Sequence, residues 1–579
     1  MPAPNDEVTW MDRRAWLAAI ATVAAASMAG GCGPRDDSRS TVAEGEVGHG
    51  WSPQRLTEVE GVPAPQIRTA IDARLRGEPP APLTPQAWAR TRRLYRAYGN
   101  GPLWFAADGL HDDRATALTG AILDAHKDAL RLNAYPVGAL ADALQALRRG
   151  GRPTAQQLAD ADLLLTTTYV ALAEDLLTGQ IDPGSISQSW YIDPQEERVD
   201  SALVRALREP RLDSAIARMR PQQAEYAQLQ RELLRLRELA ASGGWPTVPG
   251  GRALKPGDSG SPARLEALRA RLAAEGLLPG GEAAAGTTYD RALAGAVATF
   301  QARHGIPADS VLGEETVRSL NVPTTYRLGQ VAANLERYRW LPRTLGSRHL
   351  LVNVPAFRLE GYEEGRKVIE MKVIVGEEYE DRATPVFSDS METVVFRPYW
   401  FVTPDIQAKE MEPKIAEDPG YLARGNYEYY TEKGEQRIRQ RPGEKNSLGL
   451  VKFLFPNDFN IYLHDTPDGA LFEKDVRAFS HGCIRLEKPA ELAAWVLGWD
   501  EGKVADAMHS GADNRSVKVP AKIPVYIAYF TAYIRDGELH YGNDLYARDD
   551  ALVAAMADGA FPATKAVQAV EALRRITAE

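Results

Sequence analysis

One cysteine and two histidines lie near one another late in the chain. His464 is followed, after fifteen intervening residues, by Ser480-His481-Gly482-Cys483-Ile484-Arg485. A thiol becomes a strong nucleophile when a base or cation favours its thiolate, so a single Cys with a His brought close by the fold is a minimal device for acyl transfer. Cys483 is the candidate nucleophile and His464 the candidate proton acceptor and donor. His464 ends the apolar run Ile461-Tyr462-Leu463, where a strand can aim its ring. Gly482 permits a tight turn beside the thiol, so that nearby amides, that of Cys483 included, can donate to an oxyanion. Ser480, His481 and Gly482 are therefore read as oxyanion and positioning residues, His481 having the alternative of a hydrogen-bonded structural histidine. Arg485 suits a carboxylate, which it can grip with two parallel hydrogen bonds; the alternative is a structural salt bridge. Asp465 invites a Cys-His-Asp reading, but adjacent residues on a strand point to opposite faces, which leaves a backbone carbonyl to orient the imidazole.

His464, Asp465, His481 and Cys483 also include the common zinc-ligand types. No paired Cys-x-x-Cys and no His-Glu-x-x-His is present, and His-Gly-Cys crowds two ligands around one glycine, so no metal and no cofactor is expected. Papain-like enzymes and NlpC/P60 wall peptidases place Cys before His. Sortases share the order His, Cys, Arg but carry a Thr-Leu-x-Thr-Cys signature that is missing here.

At 579 residues the chain is several times the usual domain length, and 44% hydrophobic with 25% charged residues describes ordinary folded domains. A net charge of -10 offers no basic footprint for phosphate neutralisation, which argues against nucleic acid as a partner. The only cysteines are Cys32 and Cys483, so no disulfide framework exists and each must be explained singly. Arg13-Arg14, the apolar run Ala15 to Ala29 and the small residues ending at Gly31-Cys32 read as an export signal, resembling weakly a twin-arginine one. The apolar run is short for a membrane span. Ala29-Gly30-Gly31-Cys32 resembles a lipobox, with Ala where Leu is usual, which implies a lipid anchor at Cys32; a plain cleavage site beside an incidental cysteine is the other reading. Either way Cys483 is the sole thiol of the folded body, in an exported, periplasmic setting.

The elements that must position these groups follow in order. Residues 1–32 are the export segment and 33–63 a polar linker that needs no fold. Residues 64–250 are periodic at helical spacing, ending in an amphipathic helix over 221–241 whose Tyr226, Leu229, Leu233 and Leu236 share a face expected to pack on the helical block. Residues 255–323 form a compact three-helix unit. From 330 to 540 the texture is β, with short runs such as Leu350-Leu351-Val352, Met371 to Val375, Val451 to Phe455 and Ile523 to Ile527. Within it, about 405–446 is polar and rich in tyrosine and reads as a helical or loop insertion, covering a site or simply solvated. A helical tail, 541–579, closes the chain.

The spacing of His464 from Ser480-His481-Gly482-Cys483-Ile484-Arg485 resembles the signature of the L,D-transpeptidase (YkuD-type) domain. Asn334-Leu335-Glu336-Arg337-Tyr338-Arg339-Trp340, Val352 to Phe357, Arg382-Ala383-Thr384-Pro385, Asn446-Ser447-Leu448-Gly449 and Lys452-Phe453-Leu454-Phe455-Pro456-Asn457 resemble the large YcbB-like Gram-negative branch. Tyr289, Phe300-Gln301, His304-Gly305 and Leu320-Asn321 resemble the small peptidoglycan-binding domain of many wall enzymes. The resemblance implies a multidomain α+β architecture: an all-α scaffold domain, a three-helix peptidoglycan-binding domain, and a β-rich L,D-transpeptidase domain with a capping insertion. It also implies an activity in which Cys483 takes the acyl group of a tetrapeptide stem, releasing D-Ala, and a second stem resolves the thioester to a 3→3 cross-link. The implied partners are donor and acceptor peptidoglycan stem peptides and other wall-synthesis proteins. Water resolving the same thioester, as in an L,D-carboxypeptidase, and a non-catalytic wall-binding scaffold stay open as readings. Tyr462 and Trp400 are conceivable walls of the site and equally ordinary packing residues.

Overall fold

A 24-residue helix, α1 (Ala155–Thr178), runs through the middle of the helical block. Thr154 accepts from the backbone of Gln157 while Gln157 returns a bond to Thr154, and Gly179 at φ +85° stops it. Apolar residues lie all round α1, as a helix enclosed by others requires. The computed structural model describes residues 53–149, 151–186, 189–193, 199–208, 212–278, 286–378, 382–560, 562 and 564–578. The segment expected to direct export, Cys32 and most of the expected linker lie outside them.

Three boundaries differ from the sequence reading. The end of the expected linker is folded: Glu58–Val59 pairs with Val62–Pro63, and Val59 and Val62 join the core of the helical block. The helix α2 (Ala224–Ala241) does not belong to that core; its Tyr226, Leu229, Leu233 and Leu236 are buried in the core of the β-rich half. An amphipathic pattern specifies that a face is covered but not by which partner, and here the partner is a later helix. The final segment is no free tail, because its last helix (Thr564–Ala578) returns to the first block and buries Val570 and Leu573 there.

The three-helix unit comprises α3 (Pro262–Ala274), α4 (Arg291–Arg303) and α5 (Glu314–Leu320) around Leu265, Leu268, Val297, Phe300 and Leu320. It leads into α6 (Thr324–Arg339), the helix on which α2 packs. Charged side chains on α6 are buried in pairs. Glu336 meets Arg339 within the helix, and Arg337 donates to Asp549 at 2.6 Å. Arg339 also donates to the Asp128 carbonyl and the Tyr226 hydroxyl, both at 2.8 Å, so it ties the helical block to the β-rich half.

Short strands then build one sheet: β1 (Arg348–Asn353), β2 (Arg358–Glu363), β3 (Arg366–Gly376), β4 (Val386–Phe396), β8 (Val451–Leu454), β9 (Leu463–His464), β10 (Ala478–Ser480), β11 (Ile484–Leu486) and β12 (Arg515–Ala528). The order is β8-β9-β11-β3-β2-β1-β12-β4, with β10 parallel to β3 and a tenth strand, Trp190–Tyr191, parallel to β4; β8 also pairs with β4, so the sheet closes on itself. Between β4 and β8 the expected helical or loop insertion contains its own antiparallel sheet: β5 (Trp400–Phe401), β6 (Tyr427–Glu432) and β7 (Glu435–Gln440). Its small core joins Val402, just after β5, Met411 of a π-helical turn and Ile438 of β7, while the tyrosine-bearing β6 reads as polar because one face is solvated. The molecule is thus a multidomain α+β protein with a helical block, a three-helix unit and a β-rich unit.

Candidate active site

Register places the candidate residues. β8 runs antiparallel to β9 with Lys452 opposite His464, and β9 runs parallel to β11 with His464 opposite Arg485. Lys452, His464 and Arg485 therefore form one row across three strands, on one face of the sheet. Leu463 and Ile484, also opposite each other, point into the core. Cys483 immediately precedes β11, and alternation puts it on the face of Arg485 and His464, with Tyr462. The structure thus brings Cys483 and His464 to one surface, with Arg485 beside them.

The imidazole is buried and held from its own strand: Nδ1 lies 2.6 Å from the backbone carbonyl of Asp465. A carbonyl has no proton to give, so Nδ1 carries the hydrogen and Nε2 is left as an acceptor. The Asp465 carboxylate faces elsewhere, accepting from the amides of Leu450 at 2.8 Å and Thr466 at 2.7 Å. Burial, and then the Arg485 guanidinium, push the His464 pKa down to about 3, so the ring is neutral at ordinary pH. Burial pushes the Cys483 thiol up to about 11, opposed by hydrogen bonds from Tyr462 and by the charges of Arg485 and Lys452. The resting pair is a neutral thiol and a neutral base, so deprotonation of sulfur must accompany attack or follow a change in solvation. Cys483 is half-buried, its Sγ 3.7 Å from the carbonyl of Asn460.

The loop before the thiol is strongly constrained. Gly482 has φ +106°, a conformation that side-chain-bearing residues rarely adopt. Ser480 Oγ donates to the Cys483 carbonyl and accepts from the Gly482 amide at 3.2 Å. That amide is engaged inside the loop rather than offered to the site, so Ser480 shapes the turn. Thr384, from a motif that sequence reasoning left without a role, is fully buried; it donates to the Gly482 carbonyl and accepts from the Gly376 amide, both at 3.0 Å. Gly376 admits this crossing, since a Cβ there would lie 2.0 Å from the Arg382 carbonyl oxygen.

His481 turns outward, its Nε2 2.6 Å from Glu410 of the insertion, and Arg382 reaches both Glu410 at 2.9 Å and Glu377 at 3.0 Å. Glu410 sits on a π-helical turn, Gln407–Met411, a form often found at functional sites. The insertion therefore touches the loop before Cys483 through Glu410, His481 and Arg382. Arg485 has loose partners, the Phe479 carbonyl at 3.4 Å and Asp468 at 3.6 Å. Sequence reasoning missed Thr384, Glu410 and Lys452. Thr384 and Lys452 left a signal, each lying in a motif singled out in the sequence, Lys452 also as a cation inside a short apolar strand; Glu410 left none.

A closed sheet thus presents a thiol, a neutral imidazole and a guanidinium on one surface, in a chain that also holds a helical block and a three-helix unit. Residues 347–527 match the family model described as "L,D-transpeptidase catalytic domain", which includes the whole row from Lys452 to Arg485. Residues 89–233 match a "Scaffold domain" and 261–320 a "Putative peptidoglycan binding domain". The chain thus carries a YkuD-type L,D-transpeptidase catalytic domain together with a peptidoglycan-binding domain. A Haemophilus influenzae protein named "Putative L,D-transpeptidase" is 30% identical over 269 residues, which are 42% of this chain and 54% of that one. The chain spans about half the length of that relative. A solved L,D-transpeptidase fragment (residues 123–326) from Xylanimonas cellulosilytica aligns over 48% of this chain and 98% of its own at 16% identity, with a TM-score of 0.16.

Proposed function

We propose that the protein is a periplasmic L,D-transpeptidase that joins peptidoglycan stem peptides through a thioester on Cys483. The observation that carries this is that Cys483 and a neutral His464, its Nδ1 held by the Asp465 carbonyl, lie on one face of the sheet within the matched transpeptidase domain. As the sulfur attacks the carbonyl of the third residue of a tetrapeptide stem, His464 Nε2 takes the thiol proton and the C–S bond forms. The C–N bond to D-Ala then breaks, and the proton passes to the departing amine. In the second half an amine from another stem attacks the thioester, His464 takes its proton, and the thiolate leaves and is reprotonated. One amide is exchanged for another, so no energy source is required. Export and a lipid anchor at Cys32 belong to this proposal and follow from the sequence of the first 32 residues.

Resolution by water is the second reading; the two differ in whether the insertion, which meets the loop before Cys483 through Glu410 and His481, keeps water from the thioester. Purified protein is to be incubated with tetrapeptide muropeptides and the products read by mass spectrometry. Dimers dependent on Cys483 support transfer; tripeptide monomers alone sink the cross-linking claim, and no Cys483-dependent product removes both enzymatic readings.

A further inference from the structure

The row across β8, β9 and β11 carries a cation on each side of the imidazole, Lys452 and Arg485. Neighbouring strands are about 4.8 Å apart, so their backbones stand about 10 Å from one another, with His464 between. The two cations are not equivalent. Arg485 has Asp468 and the Phe479 carbonyl within reach. Lys452 forms no ion pair and no hydrogen bond from its amine among the described residues; Nζ lies 5.5 Å from the centre of the Tyr462 ring and acts electrostatically on Cys483. Lys452 is half-buried and burial lowers its pKa, so an anion placed beside its ammonium is favoured over water alone.

We infer that Lys452 is a substrate-binding residue that pairs with the C-terminal carboxylate of the leaving amino acid of the donor peptide. This rests on the proposed acyl transfer at Cys483. The carboxylate of a C-terminal residue is separated from the scissile amide nitrogen by a single carbon, so it must lie beside the thiol during attack. That is where Lys452 stands and where an anion would neutralise the one unpaired charge of the row. The pairing also accounts for a strand, Val451–Leu454, whose Val451 and Phe453 are core residues while Lys452 breaks the apolar run on the other face. A lysine is a compact, strongly hydrated charge on a flexible stem, fit to release the product carboxylate, whereas a two-pronged arginine grips it.

The test compares wild type, Lys452→Gln and Lys452→Arg with two synthetic tetrapeptide donors, one ending in a free D-Ala carboxylate and one in its amide. The readout is Cys483 acylation by intact mass. For the free acid, Lys452→Gln is expected to lower acylation kcat/KM by on the order of 10- to 100-fold, as for loss of a charge-assisted hydrogen bond. For the amide it should change little, and Lys452→Arg should keep part of the preference for the acid. An equal loss on both donors, or no loss, overturns the inference. Alkylation of Cys483 by iodoacetamide reports separately on the fold and the thiol. If Lys452→Gln slows alkylation by the same factor as acylation, the lysine acts on the sulfur and not on substrate, which also overturns it. Absence of any adduct on wild type with either donor removes the functional reading, and the inference with it.

Discussion

The carbonyl of Asp465 holds the imidazole of the residue before it, His464, at 2.6 Å, while the carboxylate of the same aspartate turns to the other face and caps the amides of Leu450 and Thr466. The group that orients the base is thus main chain. The neighbouring acid serves the loop that leads into β8, where Gly449 at φ +60° leaves room for it.

Asp465→Asn should therefore destabilise rather than inactivate. The loss of charge-assisted acceptance at two amides is expected to cost about 1–3 kcal/mol of unfolding free energy. Acylation of Cys483 should stay within several-fold of wild type, measured by chemical denaturation alongside intact-mass kinetics. A loss of thousands-fold in acylation with an unchanged fold would establish a carboxylate triad instead.

His464 makes stability depend on pH with a definite sign. Its folded pKa, about 3, lies below the unfolded value near 6.5, so between the two the unfolded chain binds the extra proton. The contribution is complete above pH 6.5, declines as pH falls, and is gone below the folded pKa. At pH 5 the loss is on the order of 2 kcal/mol. Wild type should thus lose more stability from pH 7 to 5 than His464→Gln does, read as the difference between their denaturation midpoints. The same variant should lower acylation by about 100- to 10,000-fold.

Glu410 joins the insertion to the loop that bears Cys483. Burial raises its carboxyl pKa, but the bond to His481 and the charge of Arg382 outweigh this and hold it below the usual carboxylate range. Glu410→Gln should raise the share of hydrolysed tripeptide relative to dimer several-fold while leaving the thioester-forming step largely intact. Amide hydrogen exchange across residues 404–440 should quicken. Unchanged partition with faster exchange would assign the contact to stability alone.

Glu336 and Arg339 are buried together on α6, and Arg339 also holds the Asp128 carbonyl and Tyr226. Glu336→Ala leaves that guanidinium without its carboxylate and is expected to cost about 3–5 kcal/mol, measured by urea unfolding. Replacing both residues by apolar ones of similar volume should cost less than the single change.

The candidate thiol and imidazole were legible before any fold, because one cysteine within the expected folded body and a histidine at fixed spacing from it narrow the chemistry sharply. So were the three kinds of domain, since helical and strand periodicities differ and each covers a long segment. The partner of α2, the fate of the final helix and the insertion's own sheet were not, because amphipathicity says that a face is buried without saying against what. The row Lys452, His464, Arg485 was invisible for a related reason. Strand register joins residues twelve and twenty-one positions away from the histidine, and only the closed sheet, with β8 and β11 flanking β9, sets them side by side. The sequence by itself determined which atoms can react; the tertiary structure decided which charges surround them, because burial and register fix the neighbours of a side chain.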